Sequence, residues 1–592
     1  MYRAPTRELR FVLAELLDFE RLAALPAFVE YNAEFAEQVL AEAGEFAESV
    51  LAPINRLGDE QGARLEASGV HMPAEFKRAY EQFVTNGWSQ LRGAPEHGGQ
   101  GAPTVLGTAV EEIWASANLA FKLCPMLTQG AIEAIERCGS EEQKQMYLPK
   151  LISGEWTGTM NLTEPQAGSD LAAIRTRAVA EGDHFRITGQ KIFITYGDHD
   201  LTSNVVHLVL ARIEGAPAGT RGLSLFIVPK YLVDAAGELG ARNDVRCISL
   251  EHKLGIHASP TCVMAYGEEG GALGYLVGEQ NRGLEYMFIM MNAARLSVGL
   301  EGYALGERAY QKALDWARNR VQGMPRGVAR GANGATPPIV HHPDVKRMLL
   351  RMKACTDGGR ALALYAALQL DLGKHADGEE RARAQARGEL LIPIVKAWST
   401  ETGIDVASLG IQVHGGMGFI EETGAAQFLR DARIASIYEG TTGIQAADLV
   451  GRKVLRDGGA TLLQLLQEWR EELTRLTDSD DVAAWTSPAL TGIADLEDAT
   501  RALLQLQQSG PERALAVSVP YTMSCGTVLA GCLLAKSAAI AWHKRAGADT
   551  FYASKLQIVS AFVQQVLPEA AALARVVRIA PAGIVAADPE LF

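Results

Sequence analysis

Cysteine is scarce and unpatterned in this chain. The seven that occur (Cys124, Cys138, Cys247, Cys262, Cys355, Cys525 and Cys532) include no C-x-x-C pair. A disulfide framework is excluded, and the thiols read as buried and reduced in a cytoplasmic protein. No Walker loop occurs, and no G-x-G-x-x-G follows a strand pattern, so a nicotinamide Rossmann site has no support. His414 has no second histidine or carboxylate at ligand spacing, so it reads as structural and no metal site is expected. His341-His342 likewise reads as a helix cap. Positive charge is in deficit: 56 Lys and Arg against 70 Asp and Glu leave a net −14. That balance works against nucleic acid and anionic membrane as partners. The N-terminus lacks an apolar targeting core, because Arg3, Arg7 and Arg10 alternate with Glu8, Glu15 and Asp18. One long uncharged stretch exists, residues 514–535, and it carries Pro520, Gly526 and Gly531. It falls short of the roughly 20 strongly apolar residues of a membrane span, so it reads as a helix buried in a bundle.

What is present is a globular composition, 48% hydrophobic and 21% charged over 592 residues. The length suggests about four domains or subdomains. Leu9, Val12, Leu13, Leu16 and Leu17 share one helical face, so a packing helix opens the chain. Helical period continues through Phe35, Val39, Leu40, Ala43 and Phe46, with Pro53 expected to end that helix. From about Thr157 the pattern turns to short β-branched runs at 186–195, 205–213, 223–228, 245–250 and 261–266. No helix intervenes, which favours an antiparallel barrel or sandwich over a parallel sheet. Long helical segments return from about Gly283, one starting at Pro343, with an exposed Gly/Pro-rich loop at 322–338. A further helical block follows Asp457. The expected fold is α+β, mainly α. A helical extension (1–34) and a helical domain (35–156) precede a central antiparallel β-barrel domain (157–278). A helix bundle (279–456) and an additional helical domain (457–592) follow.

Three segments carry the chemistry. They are Asn161-Leu162-Thr163-Glu164-Pro165-Gln166-Ala167-Gly168-Ser169-Asp170, Gly189-Gln190-Lys191-Ile192-Phe193-Ile194-Thr195, and His414-Gly415-Gly416-Met417-Gly418-Phe419 with Ile437-Tyr438-Glu439-Gly440-Thr441-Thr442. Glu439 follows an apolar turn, where desolvation would raise its pKa towards that of a general base. On spacing alone it reads more readily as a cap for a helix starting near Thr441. In this order the segments resemble the acyl-CoA dehydrogenase family over residues 35–455. The length matches its branch of roughly 600 residues, which includes fatty acyl-CoA and 3-methylmercaptopropionyl-CoA dehydrogenases.

The resemblance implies FAD as cofactor and α,β-dehydrogenation of an acyl-CoA to a trans-2-enoyl-CoA. Electrons would pass to electron-transfer flavoprotein; an acyl-CoA oxidase is the alternative, and a nucleic-acid-binding relative a more distant one. Glu439 would take the α-proton. The rival position used by some relatives is Ala294 here, which cannot act. Thr163, Thr195, Gly168 and Ser169 would meet the flavin and pyrophosphate, and Phe193 stands where relatives carry a tryptophan. Arg320, Gln412, Gly416 and Thr441 match positions at the adenosine end, the first two supplied by a second subunit, hence an expected homodimer. Ser169, Asn292, Arg295, Tyr438 and Gly440 would contact substrate, with Asn292 where relatives often carry Asp. Met160 and Leu162 are candidates for the acyl pocket.

Overall fold

The computed structural model describes residues 2–234, 236–547 and 549–591. Two compact units are present: residues 46–103 with 117–297, and residues 1–45, 104–116 and 298–592.

The first of these units is built on a sheet that closes on itself. Its strands are β1 (Trp156–Asn161), β2 (Arg177–Glu181), β3 (His184–Thr195), β4 (Asn204–Ile213), β5 (Leu223–Pro229), β6 (Val245–Leu250), β7 (Thr261–Tyr266) and β8 (Ala272–Leu276). β3, β8, β5 and β4 pair in that order, and β2 pairs with both β3 and β4, which closes a small barrel. β7 and β6 extend the sheet from β3, and β1 extends it from β4. The pairing is antiparallel apart from β1–β4 and β2–β4, which are parallel and depart from the expected antiparallel order. β1 is buried along its whole length because helix Leu119–Cys138 packs on it. Gly158 makes that approach possible: a Cβ there would lie 2.4 Å from that of Ala131. A small hairpin, Arg64–Glu66 with Gly69–His71, also interrupts the helical N-terminal block. Pro53 does not end a helix. The chain passes through a wide i→i+5 turn at Ala47–Leu51 and Pro53 enters helix Ala52–Gln61 in its first turn, where its missing N–H costs nothing.

The second unit is helical. It takes in most of α1 (Gly283–Asn319), then α2 (Pro343–His375), α3 (Gly378–His414), α4 (Thr442–Asp448), α5 (Ser518–Lys544) and α6 (Thr550–Gln565). α2 and α3 form an antiparallel pair, and α5 packs on α2, α3 and α6. α5 contains most of the uncharged stretch, residues 518–535. It is long and apolar enough to cross a membrane, but 89% of that window is buried inside the bundle. Its small residues explain why: a Cβ at Gly526 would lie 2.3 Å from the Trp398 ring, and the Trp398 indole donates to Thr527 Oγ1 at 3.0 Å. The segment Thr550–Ile579 meets the same length and hydropathy test, with 39% of its window buried.

A closed ionic cluster lies in this helical core. Arg360 binds Glu112 (2.6 Å), Asp357 (2.7 Å) and Glu307 (2.9 Å). Lys353 binds Asp357 at 2.7 Å, and Lys555 binds Asp357 at 2.9 Å and also Glu8. Four carboxylates face three cations, all buried except the half-buried Lys353. Burial and the excess negative charge push Glu112 up to about 7 against the pull of Arg360. Glu307 is buried too, yet Lys353 and Arg360 hold it at about 2.

Candidate active site

In the barrel unit, two of the three motif segments are clamped together. The Lys191 ammonium donates to Leu162 O (2.8 Å) and to Glu164 Oε1 (2.9 Å), and both side chains are buried. Glu164 also accepts from Thr176 Oγ1 (2.5 Å) and from the amides of Arg175 and Thr176. Burial alone would raise the Glu164 carboxyl, but the Lys191 charge and these donors hold it at about 2. Burial takes Lys191 down to about 8, so it remains protonated at neutral pH. Ile192 N donates to Thr163 O at 2.9 Å, which sets Thr163 beside the end of β3.

That strand end is irregular. The β3–β7 register shifts opposite Ile192 and Phe193, and Phe193 takes a left-handed backbone with φ 60°. The bulge turns the Phe193 ring outward, 58% exposed, beside the half-buried Thr163 and Thr195. Gly168 and Ser169 are exposed, and nothing lies within 4 Å of a Cβ built at Gly168. An outward aromatic face flanked by two hydroxyls and an open Gly-Ser turn suits a planar heterocycle bearing phosphate. Further along the same unit, Arg295 is buried, donates to Asn292 Oδ1 at 3.3 Å and lies 5.9 Å from the Phe288 ring.

In the helical unit, Glu439 sits in a tight turn ahead of α4. Its backbone is left-handed, φ 55°, which costs a non-glycine residue on the order of 1–2 kcal/mol. The side chain is partly exposed. The capping role does not fall to it: Thr441 is the N-cap, and its Oγ1 accepts from Ile444 N at 3.2 Å. Gly440 has φ 92°, and a Cβ there would meet Gln445 Nε2 at 2.7 Å, so the position demands glycine. Gln445 Nε2 in turn donates to Glu439 O at 3.1 Å. Tyr438 donates to the buried carboxylate of Glu301. Arg320, Gln412, Gly416 and Thr441 are all exposed, and the Arg320 guanidinium lies 5.7 Å from the Trp316 ring.

His414 is engaged as a packing residue: its Nδ1 is 2.7 Å from Gly410 O and its ring stacks on Trp316 at 5.2 Å. His342 is the N-cap residue of α2, but its side chain does not cap; Nε2 bonds Gln322 O at 2.9 Å instead. All seven cysteines are free thiols, five of them buried. Glu301, Lys396, Thr176 and Gln445 escape a reading of sequence motifs, and Glu164, though inside one, is given no role by it. The one trace they leave is a charged or polar residue inside an otherwise apolar or motif-bound run.

These features define a class by architecture: a helix–barrel–helix protein with an outward aromatic on its barrel and a glutamate in a strained turn of its helical unit. Family models describe the chain almost end to end. They are the acyl-CoA dehydrogenase N-terminal domain (residues 33–155), middle domain (159–267) and C-terminal domain (281–455), and the acetyl-CoA dehydrogenase C-terminal-like domain (464–588). The 3-methylmercaptopropionyl-CoA dehydrogenase of Ruegeria pomeroyi is 50% identical over 96% of this chain and 97% of its own. A broad-specificity linear acyl-CoA dehydrogenase of Mycobacterium tuberculosis is 35% identical over 96% of each chain. Among solved structures, an acyl-CoA dehydrogenase from Bacillus anthracis complexed with FAD superposes with a TM-score of 0.72. It is 22% identical and covers 96% of this chain and 91% of that one. The chain belongs to the acyl-CoA dehydrogenase family, oxidoreductases that act on a CH–CH bond.

Proposed function

We propose that the chain is an FAD-dependent dehydrogenase of 3-methylmercaptopropionyl-CoA, active as a homodimer, that passes its electrons to electron-transfer flavoprotein. The observation that carries the substrate is the 50% identity, over nearly the full length of both chains, to the Ruegeria pomeroyi enzyme of that name.

The residues of the barrel unit fit the cofactor. Phe193 would lie against the flavin, Thr163 and Thr195 would bond its polar edge, and the Gly168-Ser169 turn would take the pyrophosphate. When bound, FAD supplies the acceptor for the hydride that leaves the β-carbon. Glu439 removes the α-proton, and its carboxylate holds that proton at the end of the step. The Glu439 amide would polarise the thioester carbonyl and favour the charge that develops there. Gly440 lets the thioester approach the backbone. Arg320 and Gln412, exposed at the far end of the helical unit, would serve the adenosine end of the partner's cofactor.

A panel of acyl-CoAs assayed anaerobically with an artificial electron acceptor tests the reading. Methylmercaptopropionyl-CoA should give the highest kcat/KM, and a straight-chain acyl-CoA above it would overturn the substrate assignment. Stoichiometric hydrogen peroxide in air, at the dye-linked rate, would point to an oxidase instead. Light scattering should give a dimer.

A further inference from the structure

The chain neighbours of Glu439 are each held by a buried charge. On one side, the Tyr438 hydroxyl donates to the carboxylate of Glu301, which has no solvent exposure. On the other, the Lys396 ammonium, equally inaccessible, donates to Gly440 O at 2.7 Å. Both side chains come from a close crossing of α1 and α3. A Cβ at Gly302 would lie 2.1 Å from Ser399 O, and one at Gly403 would lie 2.2 Å from Gly302 O. A Cβ at Gly299 would stand 3.1 Å from Lys396 N. Glycines bring the two backbones together there, and Glu301 and Lys396 flank the contact under the 438–440 turn.

Buried charges are expensive unless they are bonded, and charge-assisted hydrogen bonds are about twice as strong as neutral ones. The turn they hold is itself strained at Glu439, φ 55°, and continues into Gly440 at φ 92°, which glycine adopts freely. Such backbone persists only where its surroundings over-determine it. Burial and the negative charge of Glu301 and Glu439 push the Tyr438 phenol far above its ordinary value, so it remains a donor at working pH.

We propose that Glu301 and Lys396 are positioning residues for proton abstraction, a buried pair of opposite sign that clamps the residues on either side of Glu439 and so aims its carboxylate. The inference rests on Glu439 being the base. Each acts through the turn, Glu301 by way of the Tyr438 hydroxyl and Lys396 by way of the Gly440 carbonyl. The division of labour is chemical. Glu301 fixes the side chain that precedes the base, and Lys396 fixes the peptide carbonyl that follows it. A misplacement of about 1 Å at a reacting group can cost about 100-fold in rate.

The test uses the full-length, FAD-loaded enzyme with 3-methylmercaptopropionyl-CoA and butyryl-CoA as probes. Glu301→Leu and Lys396→Met should lower kcat about 10–100-fold while KM and FAD content change less than about twofold. Glu301→Gln keeps an acceptor for Tyr438 and should restore most of the lost kcat. Tyr438→Phe should lower kcat as Glu301→Leu does, and the double variant should lose less than the product of the two losses, because both changes remove the Tyr438–Glu301 bond. Where Glu301→Leu yields no folded protein, Tyr438→Phe, which deletes a single oxygen, decides. Near wild-type kcat in Tyr438→Phe, or multiplying losses in the double variant, would overturn the clamp. Glu439→Gln runs alongside: if it stays active, the assignment of the base has failed. If it is dead while Tyr438→Phe and Lys396→Met keep wild-type kcat, only the clamp has failed.

Discussion

At the scale of single residues, strain and burial mark the chemistry. Among the described residues outside glycine, positive φ occurs at Phe193 and Glu439, which are the outward aromatic of the barrel and the proposed base, and at four others. Each is held in place by a bulge or a turn rather than by its own preference. Glu439→Gln keeps size and shape, so FAD and acyl-CoA binding should survive. Removal of the basic lone pair should cost about 10²–10⁴-fold in kcat, read by stopped-flow bleaching of the flavin. Glu439→Asp should fall between, since its carboxylate retreats by one methylene. A Gln variant that bleaches at the wild-type rate would show that another group takes the proton.

At the scale of elements, the motif segments make sense as mutual supports. Residues 161–170 and 189–195 share a buried ion pair, Lys191 with Glu164, and a backbone bond between Ile192 and Thr163. Breaking a buried pair by removing one partner costs about 3–5 kcal/mol, because the other charge remains desolvated. Lys191→Met should therefore destabilise the barrel unit by about that amount and release FAD. Both are measurable by denaturant titration with flavin fluorescence. Retained FAD and unchanged stability would show that the clamp is dispensable. In the helical unit the tight element is α5. Gly526→Val would force side-chain atoms into Trp398, already 2.3 Å from a bare Cβ, and overpacking of this kind costs about 1–3 kcal/mol. A Tm equal to wild type would contradict the packing argument.

Across the whole molecule, the ionic cluster joins five stretches of the helical unit: the N-terminal extension through Glu8, helix Thr104–Ala117 through Glu112, then α1, α2 and α6. Its four carboxylates and three cations leave room for one proton. The folded protein holds Glu112 at about 7, above the ordinary carboxyl value of 4.5. A raised pKa means that the folded state binds the proton more tightly than the unfolded chain. This contribution to stability is complete below about pH 4.5 and is lost as pH rises through about 7. Glu112→Gln carries no titration there, so its Tm should fall less than that of wild type between about pH 5 and 8. Parallel Tm profiles for the two proteins would place the proton elsewhere. Glu164 has the opposite sign: its lowered carboxyl adds stability that is lost only as pH falls from about 4.5 towards 2.

Much of this protein was legible in its linear order. The change from period 3.6 to period 2 and back placed the barrel between helical blocks, and the strands at 245–250 and 261–266 match residue for residue. The motif segments singled out Thr163, Phe193, Ser169 and Glu439 as candidates because short-range chemistry is written in contiguous residues. The uncharged stretch at 514–535 was readable as a core helix because small residues allow close packing that a lipid-facing helix does not require. Tertiary structure alone decided the rest. The parallel pairings of β4 with β1 and β2 depend on how the sheet closes, which local alternation does not encode. The passage of Pro53 into a helix depends on the wide turn before it. Glu301, Lys396, Glu112 and Arg360 are charges in apolar surroundings, and the bonds described above reach 44 to 248 positions along the chain, apart from the Arg360–Asp357 contact. Sequence shows that such a charge must find a partner; only the crossing of the helices determines which one it finds.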